Sequence, residues 1–394
     1  MSAVVRLLPG REKSLKRHHQ WVFSGAIDRV EGAPEPGETV LVTDGKGAKL
    51  ALAAWSPESQ LACRVWSFDP DAVIDRAFFA AAVRKAVDLR RDLGVFTSEG
   101  GCRLIAAEGD DLPGLTADWY AGYIVLQAAA CGAERYKRDF AELLMAETGA
   151  KGVFERSDLS IRAREGLPEA VGNLCGEPPP NPIEIVENGL RLAVDVRHGH
   201  KTGFYLDQRE SRREVAMLVR PGFEVLNCFA YTGAFGAAVL KAGAASVVNV
   251  DSSAPALALA ERNFQLNGLA GFSNEVADVF ELLRKYAGEK RRFDMVILDP
   301  PKFIDGKHAL TRGCRAYQDI ARLGFSLLKE GGILATFSCS GLMTPELFQK
   351  ITADACLEAG RSGRIIRRFT QAADHPVALG VPESAYLKGL AVRV

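Results

Sequence analysis

At 394 residues the chain is longer than one hydrophobic core usually serves, so two or three domains are expected. With 47% apolar and 25% charged residues the composition excludes long disordered or fibrous segments. The 49 basic and 49 acidic side chains cancel, so a nucleic-acid partner would have to be held by local clusters of Lys and Arg.

The cysteines, Cys63, Cys102, Cys131, Cys175, Cys228, Cys314, Cys339 and Cys356, are scattered, several of them inside apolar runs. They form neither a disulfide framework nor a C-x-x-C pair, so reduced thiols in a cytoplasmic protein are expected. The N-terminus lacks the apolar core of a signal peptide, and no apolar run is long enough to span a bilayer; no membrane partner is expected.

Residues 1–72 read as a small β-barrel or sheet, with short β-rich runs such as Glu38–Thr43 and Leu61–Trp66 between Gly/Pro turns. A basic segment, Arg11, Lys13, Lys16, Arg17, His18 and His19, is expected just before the first strands and leads into Trp21 and Phe23. Such a segment suits RNA phosphates and stacked bases, a reading favoured over a solvated face above a core aromatic pair.

From Asp75 to Leu93 the apolar positions Phe79, Val83, Ala86 and Val87 repeat at helical spacing, with Gly94 placed to end the helix. That helix opens a central α+β block, 73–182, with strands near Ile124–Gln127 and Gly152–Glu155 around a helix from Ala133. Pro178-Pro-Pro180 is a natural joint, and the run Ile183–Val196 folds back on Asn188-Gly189, a pair suited to a type I′ turn. The remaining block, 183–394, adds to this hairpin an alternation of strand and helix: Phe223–Asn227, Gly233–Lys241, Ser246–Asp251, Pro255–Asn267, Phe293–Leu298, a helix towards Leu328, and Gly332–Ser338. Alternation of this kind predicts an α/β fold with a doubly wound, Rossmann-like parallel sheet. The last apolar runs, Arg364–Phe369 and Tyr386–Val394, are expected to pair antiparallel at the sheet edge.

Chemistry concentrates at the strand ends. The first strand runs into Cys228-Phe-Ala-Tyr-Thr-Gly-Ala-Phe-Gly236, which puts Gly233 and Gly236 where a ligand can approach backbone and helix N-terminus. Two glycines fall short of the G-x-G-x-x-G dinucleotide fingerprint, which counts against NAD. Asp251 closes the second strand, where a carboxylate can accept both ribose hydroxyls, and Asp278 closes the third, placed for an adenine amino group. Singly, either acid could be no more than a helix N-cap. The fourth strand ends in Asp299-Pro300-Pro301-Lys302, an acid on a stretch stiffened by two prolines.

The ordered set Val225–Gly236, Asp251, Asp278 and Asp299–Lys302 resembles the Rossmann-like S-adenosylmethionine methyltransferases. Gly10–Leu15, Trp21–Ala26, His198–Gly203, Tyr205–Arg209 and Thr336–Gly341 narrow the resemblance to the large-subunit ribosomal RNA cytosine-5 methyltransferase I group, over essentially the whole chain. That resemblance implies an N-terminal PUA domain, a central α+β domain and a catalytic domain that methylates one cytosine of 23S ribosomal RNA, free or in a partial particle. It implies S-adenosylmethionine as cofactor, held by Phe204, Asp207, Arg209, Asn227, Phe229, Ala230, Gly233, Asp251, Ser252, Asp278, Asp299 and Pro300. RNA contacts fall to Arg11, Lys13, Lys16, Arg17, Trp21 and Lys302.

Carbon 5 of cytosine is a poor nucleophile until a group adds at carbon 6, and a thiolate is the usual adduct former. Cys339, just beyond the strand Gly332–Ser338, is the expected nucleophile, with Asp299 gripping the N3/N4 edge of the base. Cys314 is the rival thiol, and Cys228 reads as packing. Asn227 stands where many methyltransferases carry an acid. His198 and His200 lack a third ligand, so no metal is expected, and Lys201-Thr202 lacks the glycines of a P-loop. Methylation of a base nitrogen and a non-catalytic role in ribosome assembly are the alternatives.

Overall fold

The computed structural model describes residues 3–394. The chain forms two compact units. The first runs to Ile185 and takes in Val194–Leu206 and Ala373–Ser384; the second comprises Val186–Ala193, Asp207–Ala372 and Ala385–Val394.

The first unit holds two sheets. One, of six strands, runs Trp21–Phe23, Leu61–Ser67, Lys49–Trp55, Thr39–Thr43, Val4–Leu7, Ile27–Glu31. The basic segment therefore does not precede the first strand: Val4–Leu7 comes before it and pairs in parallel with Thr39–Thr43. Four residues are too few to show a period, which is why that strand is silent in the sequence. The other sheet, of five strands, runs Ala170–Gly176, Gly152–Ser157, Tyr123–Ala128, Leu115–Tyr120, Gly101–Ala106.

Two helices cover the five-stranded sheet. Arg76–Asp92 is capped by the Asp75 side chain, which accepts from Phe78 N, and it ends where Gly94 takes φ +66°. Its buried stripe is Phe79, Val83, Ala86 and Val87, the spacing read from the sequence. The other helix, Cys131–Thr148, lies against the six-stranded sheet at Gly132, where a Cβ would come 2.4 Å from that of Ala54 and 2.6 Å from the Trp66 ring. Beside this contact Arg64 donates to both oxygens of Glu165, at 2.9 and 2.8 Å. Asn188 and Gly189 both take positive φ at the tip of the hairpin Ile183–Glu187/Leu190–Val194, as a type I′ turn requires.

In the second unit the strands are β1 (Glu224–Cys228), β2 (Ser246–Asp251), β3 (Phe272–Val276), β4 (Phe293–Leu298), β5 (Leu328–Ser338), β6 (Arg364–Thr370) and β7 (Lys388–Arg393). The helices are α1 (Arg209–Ala216), α2 (Ala234–Lys241), α3 (Ala254–Leu266), α4 (Val279–Gly288), α5 (Leu310–Ser326) and α6 (Pro345–Glu358). The sheet order is β3-β2-β1-β4-β5-β7-β6; β1 to β5 are parallel, and β7 is antiparallel to both its neighbours. The two last strands do pair antiparallel, but only β6 lies at the edge. β7 is inserted between β5 and β6, as its buried run Gly389–Val392 demands.

Strand order reverses between β1 and β4. There the outgoing loops diverge and leave a crevice beyond the C-terminal strand ends. Leu226, Cys228, Val296, Leu298, Phe325 and Leu334 belong to the core beneath that edge. Among the described residues no helix is long and apolar enough to cross a membrane.

Candidate active site

Parallel strands deliver their C-terminal loops to one edge of the sheet. Register pairs Cys228 with Val250 and with Leu298, and Leu298 with Thr336. The residues that follow β1, β2, β4 and β5 are thereby gathered along that edge.

The loop after β1 is wound tightly. Phe229, Tyr231 and Gly233 take φ +58°, +48° and +74°. An aromatic side chain in this left-handed region costs about 1–2 kcal/mol, so the conformation has to be held from outside. Ala230 N donates to Val250 O, Tyr231 N to Asp251 Oδ2 at 2.8 Å, and Gly233 N to Ala230 O. Asp251 also accepts from Ser253 N through Oδ1 at 2.9 Å, so it braces the turn whatever else it binds. A Cβ on Gly233 would lie 2.8 Å from that of Ala260, and one on Gly236 would lie 2.4 Å from Asn249 Oδ1. These contacts admit only glycine and bring the N-terminus of α2 close to the edge.

Asn227 is buried, and its amide donates to Asn249 Oδ1 at 2.9 Å; Asn249 donates in turn to Asn274 Oδ1 at 3.1 Å. The three asparagines are register partners across β1, β2 and β3 and form a buried polar ladder under the loop. Asp278 is exposed and caps α4 by accepting from Glu281 N at 3.0 Å, the structural role that any isolated acid in its place could fill. Ser252 is exposed beside Asp251.

After β4, Asp299 Oδ1 accepts from Gln208 Nε2 at 2.9 Å. Pro300 is buried while Pro301 and Lys302 are exposed. Gln208 is 2% exposed, and its Oε1 makes no hydrogen bond among the described residues. Its neighbour Asp207 accepts from the Tyr386 hydroxyl at 2.7 Å, and Arg209 pairs with Glu210 at 3.2 Å. Phe204 is buried and belongs to the first unit.

In the loop itself Thr232 Oγ1 is also buried without a partner among the described residues. A left-handed, glycine-bounded turn with one buried hydroxyl left to satisfy fits a ligand that carries polar groups, as S-adenosylmethionine does.

Beyond β5, Cys339 is half-buried and not in a disulfide. Its neighbours Ser338 and Ser340 are fully buried. Tyr317, from α5, hydrogen-bonds Ser340 Oγ at 3.0 Å, and Lys388, the first residue of β7, donates to Ser340 O at 2.7 Å. Burial disfavours the thiolate at the two other candidate cysteines. Cys228 is fully buried, which pushes its thiol far up, and burial also raises Cys314, which packs from α5 against the core.

In the first unit Arg11, Lys13 and Trp21 line one groove of about 500 Å³ together with Phe23 and the backbone of Gly25. The Trp21 indole donates to Glu108 Oε1 at 2.9 Å, which fixes the ring. Lys16 and Arg17 are exposed on the adjoining 3₁₀ turn and are not part of that lining, and Lys302 belongs to the second unit. His200 lies 3.2 Å from the Tyr205 hydroxyl through Nδ1. Among the described residues no group of three or more His, Cys, Asp or Glu side chains is placed to hold a metal.

Four side chains of this site were not picked out from the sequence: Gln208, Tyr317, Tyr386 and Lys388. Gln208 sits between two residues that were, and a positional neighbour is a usable signal. Lys388 opens a strand whose next four residues, Gly389–Val392, are apolar and buried, a charge that invites the question of what it faces.

A family model described as S-adenosylmethionine-dependent methyltransferase matches residues 99–392, and one described as PUA-like domain matches residues 5–68. A ribosomal RNA large subunit methyltransferase I of Vibrio vulnificus is 50% identical over 400 residues, and one of Shewanella amazonensis is 49% identical over 396, each covering all of both chains. Among solved structures, a candidate SAM-dependent methyltransferase from Streptococcus mutans has a TM-score of 0.85 at 23% identity over the full length of both chains. A candidate methyltransferase in complex with SAH also has a TM-score of 0.85, at 24% identity over 99% of each chain. At such identities these two structures speak for the fold.

Proposed function

We propose, because the chain belongs to the S-adenosylmethionine-dependent methyltransferases and within them to the ribosomal RNA large subunit methyltransferase I family, that it methylates carbon 5 of a cytosine in 23S ribosomal RNA through a Cys339 adduct. The observation that carries this reading is the placement of a thiol and a carboxylate, Cys339 and Asp299, at the ends of the adjacent parallel strands β5 and β4.

When bound, S-adenosylmethionine supplies an electrophilic methyl group. The loop Phe229–Gly233 with Asp251 and Asp278 would hold it, joined by Phe204, Asp207, Arg209, Asn227, Ser252 and Pro300. Cys339 thiolate forms the Sγ–C6 bond, and the C5=C6 electron pair moves towards carbon 5, which takes the methyl. Loss of the carbon-5 proton then expels Sγ and restores the ring. Asp299, oriented by Gln208, grips the N3/N4 edge of the base, where a proton shared between its carboxyl and N3 offsets the negative charge that the thiolate adds to the ring. Residues 1–72 serve as the RNA-binding PUA domain through Arg11, Lys13, Lys16, Arg17 and Trp21, with 73–182 the central domain; Lys302 meets RNA from the catalytic domain.

Ribosomal RNA fragments carrying 5-fluorocytosine block loss of the C5 substituent and should trap a covalent complex that survives denaturing electrophoresis. Cys339→Ala should form none, and an adduct that persists in this variant would rule out the nucleophile assignment. A second reading, methylation of a base nitrogen, draws on the Asp299-Pro-Pro platform. Mass spectrometry of the methylated nucleoside separates the two.

A further inference from the structure

Lys388 is a buried cation for which the reading so far has no use. It is 8% exposed, on a strand flanked on both sides by other strands. It makes no ion pair with a carboxylate among the described residues; its ammonium donates to Ser340 O. One carbonyl is poor compensation for a desolvated ammonium.

The position, however, is specific. Lys388 is the register partner of Ser338, and its side chain reaches past Cys339 to the carbonyl of Ser340, so it brackets the thiol residue. The titratable group that acts on it is Cys339, on the β5 loop; Tyr317, on α5, hydrogen-bonds the hydroxyl of Ser340, the residue whose carbonyl Lys388 binds. The Tyr317 phenol is pushed up by burial and so is neutral over the working pH range. Burial pulls the Lys388 ammonium down to about 8, and Cys339 acts in the opposite direction, as an anionic neighbour does.

We infer that Lys388 is a positioning residue whose ammonium holds Cys339 as a thiolate before the base arrives. The inference rests on the reading in which Cys339 is the nucleophile. The Sγ–H proton leaves to solvent, no bond to carbon forms in this step, and the ion pair Cys339 Sγ⁻/Lys388 Nζ⁺ is the resting state. The ammonium also keeps the departing sulfur anionic when the adduct breaks down.

The test is the pH dependence of iodoacetamide alkylation at Cys339, followed by mass spectrometry of its peptide in the full-length protein without RNA. In the unmodified protein the alkylation midpoint should lie below the ordinary thiol value of about 8.5. In Lys388→Met it should move up by a unit or more, with the rate at neutral pH falling about tenfold or further. Lys388→Arg should restore most of the rate. A midpoint at or above the ordinary thiol value in the unmodified protein overturns the inference even if Lys388→Met fails to fold. An unchanged profile in a Lys388→Met protein that still binds S-adenosylmethionine by calorimetry overturns it too. A depressed midpoint without a 5-fluorocytosine adduct would sink the cytosine reading and leave the ion pair standing; an adduct with an ordinary midpoint would do the reverse.

Discussion

Gln208 helps to orient Asp299. The amide N–H fixes one carboxylate oxygen, while the amide oxygen of the same side chain is buried without a partner of its own. Replacing Gln208 by Leu removes the donor and keeps the volume. The expected result is the same methylated nucleoside at a turnover lowered about tenfold, from the loss of one hydrogen bond to a charged acceptor worth about 1.5 kcal/mol. Single-turnover methylation with nucleoside analysis checks it, and turnover within twofold of the unmodified enzyme would count against the contact.

In the sequence the acids at strand ends and the glycines after β1 stand out because they recur in order after successive apolar runs. Gln208 and Lys388 were not legible in that way. Gln208 finds Asp299 from 91 residues away, and Lys388 reaches the Ser340 carbonyl only because β7 inserts beside β5. Their meaning is created by pairing between distant segments, which no local pattern encodes.

At the scale of elements, the β1 loop and its asparagine ladder behave as one part. A methyl group on Gly236 would strike Asn249 Oδ1, the atom that accepts from Asn227, and would crowd the Phe264 ring at 3.1 Å. Gly236→Ala should destabilise the protein by about 1–3 kcal/mol by overpacking and weaken S-adenosylmethionine binding. Urea unfolding followed by far-UV circular dichroism, with calorimetric titration of the cofactor, measures both. A variant with unchanged midpoint and affinity would show that the ladder yields freely.

The strand and helix alternation of 223–338 was readable because parallel strands buried on both faces give continuous apolar runs between amphipathic helices. The order in which β6 and β7 join the sheet was not, since two antiparallel strands can enter an edge either way round. The helix Pro345–Glu358 was passed over for a related reason: its buried positions, Phe348, Ile351, Thr352, Ala355 and Cys356, include a polar side chain, which blurs the stripe.

For the whole molecule, the division into units does not follow the order of the chain. Residues Ala373–Ser384, near the C-terminus, complete the first unit. There the buried Asp374 accepts from Arg103 N at 2.8 Å through its carboxylate, and its carbonyl accepts from the fully buried Arg90 at 2.7 Å. Asp374→Ala removes the acceptor of the Arg103 N–H and should cost about 1–3 kcal/mol. All four tryptophans, Trp21, Trp55, Trp66 and Trp119, belong to the first unit, so their fluorescence in urea reports on it directly. A midpoint that does not fall in this variant would mean the segment is only loosely tied.

The late arrival of Ala373–Ser384 also bears on how the protein is made. Domains ordinarily fold in turn as they leave the ribosome, the N-terminal one first. Here the N-terminal unit still waits for Ala373–Ser384, a part that is synthesised after the long stretch Asp207–Ala372 of the other unit. Until that segment emerges, Arg90 and Arg103 lack the partners that Asp374 brings. The nascent chain therefore carries the first unit unfinished while most of the second is being made, and the two assemblies overlap in time.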